Sequence, residues 1–183
     1  GKPEENSFDE CHNCTEKAHY FLEARAYGYY AGVLKELIYE FKYRGNQEIS
    51  KLLGDMLLKT LNTLSWPTFD YIVPVPLHPK RERERGFNQA LLLSKAISFG
   101  IGIPLHRGLK RIVNTEHQTL LDKSRRGKNL QGAFEIREGR GLMGKTILLV
   151  DDVYTTGATV DECAKSLKGI GVQRVFVLTV ARG

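Results

Sequence analysis

The hydrophobic positions along the chain change their spacing near residue 65. Between residues 30 and 61 apolar side chains recur every three or four residues, which predicts two amphipathic helices separated near residue 45. Further along, short aliphatic runs predict strands at 71–73, 101–105, 133–137, 146–150 and 174–180, with helical patterns at 88–97 and 160–167. This alternation predicts an α/β domain with a central, mostly parallel sheet flanked by helices, preceded by the two N-terminal helices.

Composition narrows the class of protein. The chain has 183 residues, of which 42% are hydrophobic, enough for one domain with its own core. No apolar run approaches the roughly 20 residues of a membrane span, and no secretory signal is visible. Three cysteines are too few for a disulfide framework. These features favour a cytoplasmic protein without a membrane partner.

The positive charge is concentrated in two segments. The net charge is +6, with +2 between Lys80 and Arg85 and +5 between Arg107 and Lys128, so the rest of the chain is slightly negative. Local excess of this kind indicates a polyanionic ligand, either the phosphates of a small molecule or a nucleic acid. Two solvated loops are the alternative explanation. The second segment also lacks apolar periodicity, which is typical of a functional arm.

One segment combines several chemically useful features. The aliphatic run 147–150 is followed by Asp151 and Asp152, and then by a turn comprising Thr155, Thr156, Gly157, Ala158 and Thr159. Adjacent carboxylates can accept hydrogen bonds from a vicinal diol or hold Mg²⁺, while glycine and a helix N-terminus suit a phosphate. Together they predict a ribose 5-phosphate site. The alternative is a plain turn closed by a capping box from Thr159 to Glu162.

This segment resembles the phosphoribosyl pyrophosphate (PRPP) signature of type I phosphoribosyltransferases. Residues 28–183 resemble more specifically the competence protein F family, including its GntX relatives. The resemblance rests on Phe41-Lys42-Tyr43-Arg44-Gly45, Val73-Pro74-Val75-Pro76-Leu77, Arg85-Gly86-Phe87-Asn88-Gln89, then Thr115, Gln118, Arg125 and Asn129. It implies a type I phosphoribosyltransferase-like domain over 29–183, preceded at 1–28 by the remnant of a zinc element or hood.

The resemblance also implies roles for individual residues. Asp151 and Asp152 would be catalytic, holding the ribose diol and contacting Mg²⁺ directly or through water, and residues 155–159 would hold the 5-phosphate. The implied pyrophosphate loop comprises Leu77, His78, Lys80, Arg81 and Arg85. A flexible arm with Gln118 and Arg125 would close over the reaction centre.

A partial zinc element is expected at the N-terminus. Cys11 and Cys14 have the spacing of a zinc knuckle, but a tetrahedral site needs four ligands. The family resemblance implies a four-cysteine element, and the sequence begins at Gly1 without an initiator methionine, as if partway through it. The sequence leaves open whether zinc is bound.

The resemblance implies a PRPP-binding phosphoribosyltransferase linked to DNA uptake in natural competence, with an acceptor that the sequence does not identify. One alternative is a single-stranded DNA-binding module, in which Tyr43 or Phe87 would stack on bases. Another is a regulator that senses PRPP without turnover. The oligomeric state stays open, a homodimer included.

Overall fold

A computed structural model describes residues 18–43, 48–114 and 130–183. The strands are β1 (Glu23–Tyr29), β2 (Tyr71–Pro74), β3 (Leu109–Arg111), β4 (Phe134–Ile136), β5 (Thr146–Tyr154) and β6 (Arg174–Arg182). The helices are α1 (Gly32–Tyr43), α2 (Ile49–Asn62), α3 (Pro79–Arg85), α4 (Gln89–Ile101) and α5 (Ala158–Gly169). After residue 70 the order is β2-α3-α4-β3-β4-β5-α5-β6, so strands and helices are interspersed without strict alternation.

Four strands form a parallel sheet in the order β1-β6-β5-β2. The aliphatic run from Ile147 to Val150 is fully buried because β5 lies inside the sheet with helices on both faces. Parallel strands end at the same edge, so the segments that follow β2 and β5 meet there. The predicted α/β architecture is confirmed.

Side chains of β5 alternate between two hydrophobic cores. Ile147 and Leu149 contribute to the core beneath α5 and the β3–β4 hairpin. Leu148 and Val150 contribute to the core beneath α1, α2 and α4. Successive side chains of a strand point to opposite faces, so one aliphatic run serves both cores.

Helices α2 and α4 approach each other closely at a glycine. A Cβ atom built on Gly54 would lie only 2.5 Å from the Cβ of Ala96, so the two helices can approach this closely only because residue 54 has no side chain.

The longest described helix, α2, has 14 residues. No helix within residues 18–43, 48–114 or 130–183 is long and apolar enough to cross a membrane.

The structure differs from the sequence prediction in the basic region. Strand β3 pairs with β4 in a separate antiparallel hairpin, although the sequence predicts that the polar stretch 107–132 is a functional arm. The predicted strand at 101–105 is wrong, because Ile101 ends α4 and Gly102 turns the chain with a φ of 70°. Only Leu105 forms a bridge, to Ile72 of β2.

Strand β1 crosses the domain boundary expected between residues 28 and 29. It pairs with β6 from Glu23↔Phe176 to Tyr29↔Arg182, which places residues 23–28 within the main sheet. Its small residues Ala24, Ala26 and Gly28 gave no periodic apolar signal, so the pattern did not predict a strand.

Candidate functional site

The acid pair lies in a notch at the carboxyl edge of the sheet. Strand β2 pairs with β5 only as far as Pro74↔Val150, whereas β6 follows β5 to Tyr154. Asp151 and Asp152 are therefore inside β5, where the strand is no longer paired with β2 but is still paired with β6. We expected them to follow the strand, and the continued pairing with β6 explains the difference.

Asp152 points toward α1 and is nearly buried. Its Oδ2 lies 2.9 Å from the ammonium nitrogen of Lys42, and both side chains are largely enclosed. Burial by itself would lower the pKa of Lys42, but the attraction of Asp152 outweighs it and the net effect raises that pKa above its usual range. Lys42 is therefore charged, and it neutralises one member of the acid pair.

Asp151 is half-buried on the opposite face of β5. Burial, and then the negative charge of Asp152, raise the pKa of the Asp151 carboxyl to about 7. The backbone N–H of Asp152 opposes this by donating to Asp151 Oδ1 at 2.8 Å, and the charges of Lys42 and Arg111 act in the same direction. A cation or hydroxyl donors placed beside Asp151 would favour its ionised form.

The turn after β5 presents a helix N-terminus. Gly157 is the N-cap of α5 with a φ of 75°, and it supplies no side-chain cap. A Cβ atom there would collide with the Tyr154 hydroxyl, so the turn requires glycine. Thr155 is exposed, and Thr156 Oγ1 accepts a weak 3.4 Å bond from the N–H of Ala158. Thr159 lies inside the helix, so the alternative capping box is wrong.

Two acids near the start of α5, Asp161 in its first turn and Glu162 after it, are hydrogen-bonded to other segments. Asp161 Oδ1 accepts from the backbone N–H of Tyr20 at 2.8 Å and lies 3.3 Å from His19 Nδ1. Glu162 Oε2 accepts from the N–H of Gly132 at 3.3 Å. Both carboxylates are therefore engaged with segments outside α5.

The segment predicted as a pyrophosphate loop is a turn followed by a short helix. His78 caps α3, its Nδ1 accepting from the N–H of Lys80 at 3.3 Å. Leu77 and His78 line a cleft beside this turn, whereas Lys80, Arg81 and Arg85 do not. Arg85 donates to Gln89 Oε1 of α4 at 3.2 Å and lies over the ring of Tyr43 of α1, so the structure divides the predicted group.

The cleft beside this turn is strongly basic. It has a volume of about 280 Å³ and lies between the start of α3, the start of α4 and the β3–β4 hairpin. Its charged lining residues are Arg107, Lys110, Arg111, Arg137 and Glu82. The sequence indicated the first three only as members of a basic segment, and Arg137 was missed because it lies outside that segment.

Arg111 connects the cleft with the acid pair. Burial, and then the nearby charge of Arg81, lower the pKa of the Arg111 guanidinium, while Asp151 acts in the opposite direction. An arginine remains charged under such conditions because its ordinary pKa is far above neutral. The acid notch and the basic cleft are thus electrostatically coupled neighbours.

The acid pair offers few protein ligands for a metal ion. Within the described ranges, which end at 43, 114 and 183, no group of three or more His, Cys, Asp or Glu side chains could hold an ion. Carboxylate oxygens suit Mg²⁺, and Asp151 remains accessible while Lys42 engages Asp152. The site thus fits Mg²⁺ carried mainly by a phosphate ligand.

Four residues of the predicted sites lie outside the described residues: Cys11 and Cys14 of the zinc element, and Gln118 and Arg125 of the arm.

The chain matches a known domain family and is similar to several characterised proteins. The phosphoribosyl transferase domain matches residues 101–183. The chain is 34% identical to competence protein F of Haemophilus influenzae, covering 94% of this chain and 78% of that protein. It is 35% identical to competence protein ComFC of Bacillus subtilis, over 75% and 55%, and 32% identical to the DNA utilization protein YhgH of Escherichia coli, over 100% and 82%.

Among solved structures, the glutamine PRPP amidotransferase of Bacillus subtilis, complexed with ADP and GMP, aligns with 71% of this chain and 25% of its own. Its TM-score is 0.47 at 19% identity. The parallel sheet, the matched domain and the strand–turn–helix unit with its acid pair define a protein of the type I phosphoribosyltransferase fold. Within that class, the chain belongs to the competence protein F family.

Proposed function

We propose that the chain binds phosphoribosyl pyrophosphate, or another ribose 5-phosphate, across the carboxyl edge of its sheet. The observation that carries this proposal is the position of Asp151, between the N-terminus of α5 and the basic cleft that Arg111 lines. One carboxylate between two anion-attracting features suits a ribose with a phosphate at each end.

Each end of the ligand has a set of residues suited to it. Asp151 would accept hydrogen bonds from the ribose hydroxyls, and the turn 155–159 would hold the 5-phosphate through backbone N–H groups and threonine hydroxyls. The turn at Leu77 and His78, together with Arg111, would hold the pyrophosphate. The β3–β4 hairpin would then cover the reactive carbon.

Mg²⁺ would be held chiefly by the phosphate oxygens of the ligand and by water, with Asp151 as the accessible protein carboxylate. When bound, it would supply positive charge that makes pyrophosphate a better leaving group. The protein would contribute further positive charge through Arg111, and Lys42 would prevent Asp152 from adding a second uncompensated negative charge.

The reaction that suits this arrangement is phosphoribosyl transfer. The bond between ribose C1 and the pyrophosphate oxygen breaks, its electron pair leaves with pyrophosphate, and an acceptor forms the new bond to C1. The carboxylate of Asp151 would stabilise the positive charge that develops on the ribose. A regulator that binds PRPP without transfer would use the same contacts, and turnover separates the two.

The names of the relatives support a biological setting for the chain. Two of them carry the name competence protein, and a third is named a DNA utilization protein. We therefore propose that the chain acts in the cytoplasm and is linked to DNA uptake.

Calorimetric titration of PRPP, with and without Mg²⁺, tests the proposal. We expect Mg²⁺-dependent binding by the wild type and its loss in the variant that combines Asp151→Asn with Asp152→Asn. The matched control is Asp70→Asn, which removes a carboxylate at the amino edge of the same sheet. Unchanged affinity in the double variant would reject the site, and absence of wild-type binding at millimolar PRPP would reject the ligand.

Single-stranded DNA is the second candidate ligand. Two exposed tyrosines lie under arginines: Arg182 is 4.7 Å from the ring centroid of Tyr29, and Arg85 is 5.4 Å from that of Tyr43. Such pairs suit bases and phosphates together. Phe87, by contrast, packs on Phe41 in the core. Affinity for oligothymidine would fall steeply with salt, whereas PRPP binding would depend on Mg²⁺.

A further inference from the structure

One contact with the acid pair comes from outside the β5–α5 unit. Lys42 is the penultimate residue of α1, and its ammonium nitrogen lies 2.9 Å from Asp152 Oδ2. The two side chains are only 18% and 11% exposed. The preceding residue, Phe41, is fully buried and anchors this end of α1 in the core. Packing therefore fixes the backbone that carries Lys42, and the ion pair with Asp152 holds its ammonium group.

Enclosing the charge of Lys42 has a cost that Asp152 offsets, with a smaller contribution from the charge of Asp151. Burial is the largest influence on the pKa of Lys42 and acts to lower it, yet the attraction of Asp152 reverses the outcome. If Lys42 were removed, the Asp152 carboxylate would be left enclosed without its cation, which is strongly unfavourable. The pair therefore behaves as a unit, and its absence would disturb β5 at the acid pair.

Strand geometry gives the two acids different surroundings. Asp152 points to the same face of β5 as Leu148 and Val150, which is the face covered by α1. Asp151 points to the opposite face, toward the side of Arg111. The backbone N–H of Asp152 donates to Asp151 Oδ1 at 2.8 Å, so the backbone of one acid orients the carboxylate of the other.

Arg85, the other cation near Lys42, is committed elsewhere. Its Nη1 donates to Gln89 Oε1 at 3.2 Å, and its guanidinium lies 5.4 Å from the ring centroid of Tyr43. Its charge opposes that of Lys42, lowering the pKa of the lysine. Arg85 therefore contacts Gln89 and Tyr43, whereas Lys42 forms the ion pair with Asp152.

We propose that Lys42 is a positioning residue for the ligand site: it fixes Asp152, and through the backbone of Asp152 it orients the Asp151 carboxylate toward the ribose hydroxyls. Helix α1 thereby becomes part of a site whose other groups come from β5, the turn that begins α5, the turn at His78 and the β3–β4 hairpin. The inference rests on the proposed function, since it concerns how the same site holds its ligand.

Calorimetric titration of PRPP with Mg²⁺ against Lys42→Met tests this role. The methionine keeps an unbranched apolar stem and removes the charge. We expect affinity to fall about tenfold, in the range typical of coupled sites. The matched control is Lys145→Met, which removes a 3.0 Å pair between Lys145 Nζ and Asp70 Oδ1 at the opposite edge, and which should bind like wild type. Lys42→Arg should restore most of the affinity.

Thermal unfolding supplies a readout that needs no ligand. Lys42→Met should couple more strongly with Asp152→Asn than with Asp151→Asn, because only Asp152 forms the ion pair. Should Lys42→Met fail to fold, Lys42→Gln replaces it, since it keeps a hydrogen-bond donor without charge, and the same loss is expected.

The outcomes separate this inference from the proposed function. If the wild type binds PRPP and folded Lys42→Met binds it equally well, the positioning role alone is overturned. The same holds if Lys42→Met and Lys145→Met lose the same amount of affinity for PRPP. Absence of PRPP binding by the wild type would overturn the proposed function, and the positioning role with it.

Discussion

Two identical neighbouring side chains differ in their chemistry at this site. Asp151 and Asp152 are consecutive on β5, so they point to opposite faces. Asp152 meets Lys42, whereas Asp151 carries a pKa raised to about 7 by burial and by its neighbour. The ionisation of Asp151 therefore weakens the folded state at neutral pH.

We expect Asp151→Asn to stabilise the unliganded protein at pH 8 but not at pH 4. The carboxyl ionises near 3.8 in the unfolded chain and near 7 in the folded one, so the folded state holds the proton more tightly. The free energy of unfolding is therefore highest below pH 4 and falls as pH rises toward 7. Removing the charge should restore about 1 kcal/mol or more at pH 8.

Thermal denaturation across this pH range measures the effect. The matched control is Asp70→Asn, which should act in the opposite direction. The N–H of Thr146, and then Lys145, lower the pKa of Asp70, so its charge contributes stability above pH 4 that is lost as pH falls. Equal shifts for Asp151→Asn at both pH values would contradict the assigned environment.

Residue-scale features were predictable where the chemistry is local. The acids and Gly157 follow each other along the chain, so their pattern was visible in the sequence. Lys42 lies 110 positions before Asp152, and no spacing rule connects them. Arg85 shows the reverse problem, because its position in a basic segment predicted a ligand contact and its geometry turns it toward Gln89.

At the scale of elements, strong apolar runs predicted their structures and weak ones did not. The aliphatic start of β5 and the periodic face of α5 were assigned from the sequence and are confirmed. Helix α3 was missed because it has seven residues, no buried side chain and a proline at its start. What makes it a helix is the cap from His78 and the left-handed turn at Gly86.

We expect Gly54→Ala to destabilise the contact between α2 and α4. Helix propensity alone would favour alanine by about 1 kcal/mol. The new Cβ would lie 2.5 Å from that of Ala96, however, and forcing backbones apart costs roughly 1–3 kcal/mol, so the clash should win. Urea unfolding should show that adding Ala96→Gly recovers part of the loss. Additive effects of the two changes would refute the contact.

At the scale of the whole molecule, folding brings distant charges to one cleft. Arg107 and Lys110 precede and begin the hairpin, and Arg137 follows its second strand. The sequence showed the charge excess of 107–128 but not the hairpin that places Arg107, Lys110 and Arg111 beside the turn at His78. A pattern along the chain could not reveal Arg137 as a neighbour, because the pairing of β3 with β4 creates that proximity.

Reversing charges in the cleft should distinguish binding of the pyrophosphate end of the ligand from binding of its 5-phosphate end. We expect Arg107→Glu with Lys110→Glu to weaken PRPP binding by about tenfold or more, because both side chains line the proposed pyrophosphate end. Affinity for ribose 5-phosphate, which lacks that group, should change much less. Lys51→Glu with Lys95→Glu, two exposed positions on α2 and α4, reverses the same number of charges as a control.

Calorimetry with both ligands measures the difference. Equal loss for PRPP and ribose 5-phosphate would contradict the orientation in which pyrophosphate occupies the cleft. Equal loss in the control would show that the total charge of the protein, and not its position, determines the affinity.

The pairing of β1 with β6 has a consequence for biosynthesis. Among the described strands, β1 is the first to leave the ribosome, and its neighbour in the sheet is β6, which ends at Arg182. Residues 23–29 therefore cannot hydrogen-bond with β6 until residues 174–182 have been synthesised. Pairing over such a separation in sequence is slow. A nascent chain halted before residue 174 would present the β6 side of β1 unpaired to chaperones.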